Sequence, residues 1–448
     1  MISSPPSASL RPALALGLGL ALVLWCLWFI THLPWLALSE KISLPIILGG
    51  WFLLAFLWGF RLGSLPPLTP PLAGFVAGLA GLPALGTKLK HADVSGTGAA
   101  LDLKPSAALM VLGFLALSTA LVGLGLYLGG KVRGLATSLA LDPHEDVSRW
   151  NARLARVAVA SVLPLLLVGG LVTSTASGMA VPDWPNTFGS NMFLYPIGPR
   201  AAPDVFLEHS HRLFGTLAGL TTFVLLLAVV LSSATRWCKA WALALFFLIC
   251  IQGILGGIRV REGNVIHTMD DKFYRTIHGV LAQFIFAGGV ALATYLSSSY
   301  RLAPPTLPDA RKLRAFATGA LHVLFLQLIF GAMYRHTRSS HALWSHVAFS
   351  MIVTVTVALA GMIAAGVKHD HPQAGIIRRA GIWAIASLVL QFSLGWLVFL
   401  VGGKDLQPAN LGQALLRSAH QANGAALLGL VTCLAVFARR LPKTAPKA

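Results

Sequence analysis

Nothing limits the folds open to this chain more than its runs of about twenty apolar residues, the length that spans a bilayer's hydrocarbon core as a helix. Eight such runs fill the last two-thirds, at roughly 155–175, 211–233, 238–258, 278–297, 315–334, 346–367, 380–401 and 420–438. Three more precede them at 12–31, 44–62 and 106–130, and a short Gly- and Pro-rich run at 72–87 leaves the total at eleven or twelve. The expected fold is therefore an all-α polytopic membrane protein. Apolar residues make up 56% and charged residues only 11%, against about 25% charged in soluble domains. This excludes an ordinary soluble enzyme, a disordered tail and a fibrous repeat. Arg11 precedes an apolar stretch longer than a signal-peptide core, with no small-x-small cleavage site after it, so the first run reads as a retained helix. Cys26, Cys238, Cys250 and Cys433 form no CxxC and share no loop, so no disulfide framework is expected.

The basic excess sorts by loop. The net charge is +19, which in a soluble protein would suggest nucleic acid. In an apolar chain it points to cytoplasmic loops instead. Around the last eight runs, one set of junctions holds Arg149, Arg153, Arg156, Arg236, Lys239, Arg301, Arg311, Lys312, Arg314, Lys368, Arg378, Arg379, Arg439, Arg440, Lys443 and Lys447, sixteen in all. The opposite set holds ten: Arg200, Arg212, Arg259, Arg261, Lys272, Arg275, Arg335, Arg338, Lys404 and Arg417. The sixteen-residue side is expected in the cytoplasm together with the C-terminus. Loops 176–210, 259–277, 335–345 and 402–419 are then outside. A bacterial inner membrane fits this asymmetry and the lack of a transit-peptide pattern. Lipid is the expected surrounding, and no nucleic-acid partner is.

A repeat runs through these eight helices. Four of them open with histidine at the outer face: His211, His278, His346 and His420. Three others end outward with a glutamine four residues before a glycine: Gln252 and Gly256, Gln327 and Gly331, Gln391 and Gly395. The spacing is 135 residues from His211 to His346 and 142 from His278 to His420. Two pseudo-symmetric four-helix bundles follow, over 151–300 and 301–448, behind three or four extra helices in 1–150 whose role the sequence leaves open. Ionisable residues at membrane depth are costly and usually functional. Two histidines per bundle are what an axially ligated heme needs, one imidazole above the iron and one below. No thiolate or carboxylate cluster accompanies them, which argues against a hydrolytic zinc site.

The other histidines carry bland readings. His209 lies about 100° around a helix from its neighbours. His322 is mid-helix, His267 and His336 are in outer loops, and His369 and His371 are in a cytoplasmic loop. His341, five residues before His346, is its rival as a ligand. Glu208 precedes His211 by three, which puts both on one helical face. It reads either as a cap or supporting carboxylate, or as a proton-handling group beside a heme edge. Leu343 holds the matching place before His346, so the halves are chemically unequal. Arg212, Arg275 and Arg417 stand at outer helix ends, suited to heme propionates or to interfacial anchoring. The first outer loop contains Asp183 between two prolines, with Trp184 and Phe188 nearby. It reads as a lid or an anchored loop.

The segment GGLVTSTASGMAVPDWPNTFG at 169–189, EHSHR at 208–212, QGILGG at 252–257, the helix opened by His278 and the His346 and His420 helices together resemble the heme A synthase family. The resemblance covers about residues 150–440. It implies an oxidoreductase that converts heme O to heme A for cytochrome oxidase assembly, by successive oxygen-dependent hydroxylations of the C8 methyl and loss of water to leave a formyl group. His211 and His278 would bind the substrate heme, His346 and His420 would ligate the iron of a heme b, and Glu208 would be the essential carboxylate. Molecular oxygen, an electron donor, heme O synthase and oxidase assembly factors are the implied partners. The chain departs from the family in lacking an outer-loop cysteine pair and in having Val347 where arginine is common. Two other readings compete: a bis-histidine diheme cytochrome b for electron transfer alone, and a transporter. Against a transporter, the helices lack paired Pro/Gly breaks and mid-membrane carboxylates.

Overall fold

A computed structural model describes residues 7–90, 103–136, 147–198, 201–263, 269–307, 309–368, 370–401 and 410–442. These residues form helices α1 (Ser7–Thr31), α2 (Glu40–Leu62), α3 (Thr69–Gly86), α4 (Ala107–Ala136), α5 (Val147–Ser174), α6 (Pro203–Val230), α7 (Arg236–Gly263), α8 (Met269–Leu296), the short α9 (Ser298–Arg301), α10 (Ala310–Thr337), α11 (Ser340–Ala365), α12 (Pro372–Val401) and α13 (Leu411–Arg440). Twelve of them, all but α9, are long and apolar enough to cross a membrane. Among the described residues there are no strands, only two isolated bridges. The short Gly- and Pro-rich run at 72–87 is therefore the core of a helix, α3. It meets α1 and α4 through Ala73, Ala77, Gly74 and Gly78, all buried. Small residues let helix backbones approach where lipid gives no hydrophobic drive.

One expectation needs correction. The four histidines do not open their helices. Each lies about two turns inside α6, α8, α11 or α13. The reason is physical: an apolar run measures the hydrocarbon thickness, whereas the helix continues through the polar interfacial zone. Segments such as EHS before His211 and LRSA before His420 are thus helical despite their polarity.

The described residues pack as two compact units. The first contains 1–165 and 178–233, the second 166–177 and 234–448, and α5 contributes to both. In the first unit α1–α4 form a bundle in which α1 lies on α2 and α3, and α4 on α2 and α3. Trp51 Nε1 donates to the Leu20 carbonyl at 2.8 Å and Trp25 Nε1 to that of Ala80 at 3.0 Å. At Gly59 the Leu126 carbonyl occupies the space a Cβ would need, so α2 and α4 touch backbone to backbone. α1 also packs on α6. Phe206 stacks between Trp28 and Phe29, at 5.8 and 5.5 Å between ring centres, and Phe214 meets Phe29 and Trp25 at 5.7 and 6.0 Å.

In the second unit α10, α11, α12 and α13 close a four-helix ring, with α8 against α10 and α13. Its core is built largely from alanine, valine and leucine, including Ala317, Ala320, Val357, Ala360, Ala384, Val431 and Leu434, none of them more than 0% exposed. The four cysteines are free thiols.

Candidate functional site

The ring of α10–α13 brings two of the four histidines face to face. His346 on α11 and His420 on α13 have ring centres 6.4 Å apart with planes at 79°. An imidazole nitrogen binds a first-row metal at about 2 Å and lies about 1 Å from its ring centre, so two rings gripping one ion from opposite sides sit about 6 Å apart. The observed spacing matches. His346 Nδ1 is 3.1 Å from the Gln327 carbonyl. A carbonyl can only accept, so Nδ1 carries the proton and Nε2 keeps its lone pair for a metal. Gln327 Nε2 donates in turn to the His346 carbonyl at 2.9 Å. His420 meets the Gln391 amide at 3.3 Å, and Asn423 Nδ2 donates to Gln391 Oε1 at 2.9 Å, which orients that amide. Among the described residues no three His, Cys, Asp or Glu side chains come together. The site thus offers a pair of imidazoles with no carboxylate or thiolate beside them, the donor set of a bis-histidine heme.

The Gln-x-x-x-Gly pattern explains how each ring is housed. On α10 the His346 Cε1 lies 2.9 Å from where a Cβ on Gly331 would stand, and on α12 the His420 Cε1 lies 3.2 Å from that of Gly395. On α7 the corresponding glycine, Gly256, leaves 3.4 Å to the His278 Cε1. Gln252 Nε2 donates to the His278 carbonyl at 2.6 Å, as Gln327 does to that of His346. Glutamine thus fixes the histidine backbone, and glycine one turn on clears the ring. His278 Nδ1 is buried with no hydrogen-bond partner among the described residues. α5 keeps the glycine, Gly170, but has Leu166 in the glutamine place. Gln421 of α13 fills that gap: its Nε2 reaches the Leu166 carbonyl at 3.5 Å.

In the first unit Glu208 and Arg212 fasten the long loop after α5. Glu208 Oε2 accepts from Val181 N at 2.8 Å, and Oε1 pairs with Arg212 Nη2 at 2.7 Å. Arg212 also donates to the carbonyls of Asp183, Asn186 and Val181 at 2.7, 2.9 and 3.1 Å. Both side chains are buried, at 5% and 8% exposure. Asp183 takes the amides of Phe188 and Gly189 at 2.8 and 2.7 Å, at the point where both residues turn to positive φ. His209, fully buried, is 3.1 Å from Thr187 Oγ1 and packs on Tyr195. The loop contains a cis Trp184–Pro185 bond. His211 lies on α6 one turn beyond Glu208. One turn further, a Cβ on Gly215 would meet nothing within 4 Å, so α6 is open there.

The remaining sequence candidates fall as follows. His341 is exposed, while His346 faces His420. His322 bonds the Thr318 carbonyl at 2.7 Å, and His371 accepts from Gln373 N at 3.2 Å. His336 is half-buried, with Nε2 3.8 Å from the Cβ position of Gly279, next to His278. His267, His369, Arg200, Lys404, Lys443 and Lys447 lie outside the described residues. Arg275 and Arg417 stand one turn before His278 and His420 respectively, and Arg417 is 5% exposed. Sequence reasoning missed Arg335. It lies one turn past Gly331 on α10, donates to Ser174 Oγ at 2.7 Å, and is near enough to Arg417 for their charges to repel. Its step of four from Gln327 and Gly331 was the available signal.

Fold and site together define a helical membrane protein whose second bundle holds two facing imidazoles and whose α6 carries a buried carboxylate–guanidinium pair. Residues 152–352 match the family described as cytochrome oxidase assembly protein. The chain is 27% identical to heme A synthase COX15 of Homo sapiens over 229 residues, 42% of this chain and 53% of that protein. It is 29% identical to the heme A synthase of Erythrobacter litoralis over 230 residues, 43% of this chain and 65% of that one. With the heme A synthase of Lysinibacillus sphaericus it shares 28% over 208 residues, 44% and 61% of the two chains. The matches thus span between about half and two-thirds of these relatives. Through these residues the chain is similar to heme A synthases and to that cytochrome oxidase assembly family.

Proposed function

We propose that this protein is a heme A synthase, oxidising the C8 methyl of heme O to a formyl group in two oxygen- and electron-consuming hydroxylations followed by loss of water. The observation that carries the reading is the inequality of its two halves. One half sets His346 against His420 with no acidic group between them. The other sets the Glu208–Arg212 pair around His211, Glu208 one turn before it and Arg212 next to it, beneath a fastened loop.

His346 and His420 would hold a heme b, and what such a group would supply when bound is one-electron transfer. The chain's own part is to keep His346 Nε2 unprotonated through the Gln327 carbonyl, to hold the His420 ring beside the Gln391 amide, and to clear the rings at Gly331 and Gly395. Arg417 and Arg335, each one turn beyond this pair, would take the carboxylates of the macrocycle. His211 and His278 are the proposed donors to the substrate. They belong to different units, and each is argued from its own surroundings: open helix surface at Gly215 for the first, a cleared ring and a buried Nδ1 for the second. Arg275 would serve the substrate's carboxylates. Arg212 is committed to loop carbonyls here, so its proposed role is to fasten the loop over the substrate side of α6, keeping water out. Glu208 would share that task and orient the reacting edge.

In the cell this places the protein in a bacterial inner membrane, receiving heme O from a heme O synthase and serving oxidase assembly. Expression beside a heme O producer, followed by heme extraction and mass analysis, tests it. Heme A or its hydroxylated precursor is expected. Heme B and heme O alone would overturn the enzyme reading and leave that of an electron-transfer cytochrome.

A further inference from the structure

Helices α1–α4 lie before the family segment, which begins at residue 152. Within the first unit they grip α6 and its loop at three separate places. At one end of α6, Arg11 Nη1 donates to Asn151 Oδ1 at 2.8 Å and to the Ala228 carbonyl at 2.9 Å, while Nη2 reaches the Leu231 carbonyl at 3.0 Å. These are the carbonyls a helix leaves without partners at its C-terminus. Along the other half of α6, Trp25, Trp28 and Phe29 close on Phe206 and Phe214. Phe206 stands two residues before Glu208, and hence about 200° around the helix from it. α1 therefore presses one side of α6 while the loop is fastened to the other.

The third place is the loop itself. The end of α3 meets it so closely that the Phe193 carbonyl fills the position of a Gly86 Cβ, and Lys90 Nζ is 3.4 Å from Ser190 Oγ. Ser190 exchanges two backbone hydrogen bonds with Thr187, whose hydroxyl meets His209 of α6. The chain of contacts runs from α3 through the loop to α6 and back through α1.

We propose that α1–α4 are a brace that fixes the covering loop against α6, with Gly86, Lys90 and Trp28 acting as positioning residues for Glu208 and Arg212. The consequence for heme A output rests on the function proposed above; the brace itself does not. Hydrogen exchange of the full-length protein in lipid nanodiscs reads the brace directly, through peptides covering 178–198. Gly86→Ala and Trp28→Ala are expected to speed exchange of those amides about tenfold, the effect of losing one local contact, and Lys90→Ala severalfold. Exchange in α10–α13 should stay unchanged, as should the heme b spectrum, while heme A output falls. Gly113→Ala on α4, where a Cβ meets nothing within 4 Å, is the control and should leave the loop as it was. Loop exchange equal to wild type in Gly86→Ala and Lys90→Ala would overturn the brace, as would a uniform rise across both units. Should Gly86→Ala fail to accumulate, Lys90→Ala decides alone. A wild type that makes no heme A but loosens its loop in the variants would sink the enzyme reading and keep the brace.

Discussion

At the scale of single residues, the pair Glu208–Arg212 separates two meanings of one motif. Spacing from Glu208 to His211 put carboxylate and imidazole on one face, and that much was legible. The i,i+4 partner, Arg212, sits on the same face, and the structure joins the two at 2.7 Å. What the sequence could not show is that three carbonyls of the loop would close on the guanidinium, because that depends on the loop folding back over α6. Removing one partner of a buried ion pair leaves the other charge stranded, at a cost of about 3–5 kcal/mol. If fastening the loop is the shared task, Glu208→Ala and Arg212→Ala should lower heme A output alike, at least about tenfold, and the double variant should be no worse than either. Losses that multiply in the double variant, measured by heme extraction, would give the two residues separate roles.

The element scale is where the sequence spoke most clearly. Gln252, Gln327 and Gln391 each stand four residues before a glycine, and in all three cases the glycine clears a histidine ring on the next long helix. Such a pattern survives in sequence because it is local: glutamine and glycine lie one turn apart on one helix. Helix starts were not legible, since polar turns in the interfacial zone look like loops to a hydropathy argument. Gly331→Val should drive a methyl into the His346 ring, already 2.9 Å from the Cβ position. The variant is expected to accumulate normally and to lose the low-spin heme b spectrum. Gly319→Val, on the same helix but with nothing within 4 Å, should keep it. An intact spectrum in Gly331→Val would mean that His346 is not the ligand, and His341 would be tested next.

Over the whole molecule, charge predicts an orientation. From the count of sixteen against ten basic residues we propose that the C-terminus is cytoplasmic. The first unit is consistent with that assignment: Arg11 near the start of α1, Asn151 near the start of α5 and Leu231 at the end of α6 meet at one level, as helix ends on one side of a membrane must. A fluorescent protein fused after Ala448 should be bright, and a periplasm-dependent phosphatase at the same point inactive; the reverse would overturn the charge argument. The role of the first 150 residues stayed dark in the sequence because their partners lie far along the chain. Neither periodicity nor composition registers a stack between Trp28 and Phe206.

That distance bears on how the protein is made. Ribosomes add about 5–20 residues per second, so α6 follows α1 into the membrane on the order of ten to forty seconds later. During that interval Trp25, Trp28 and Phe29 lack the α6 rings they close on, and Arg11 lacks the α6 terminus it caps. α1 is not fully seated until α6 arrives. A nascent chain therefore carries its aromatic seam exposed to lipid, or to whatever insertion factor shields it, until α6 has been made.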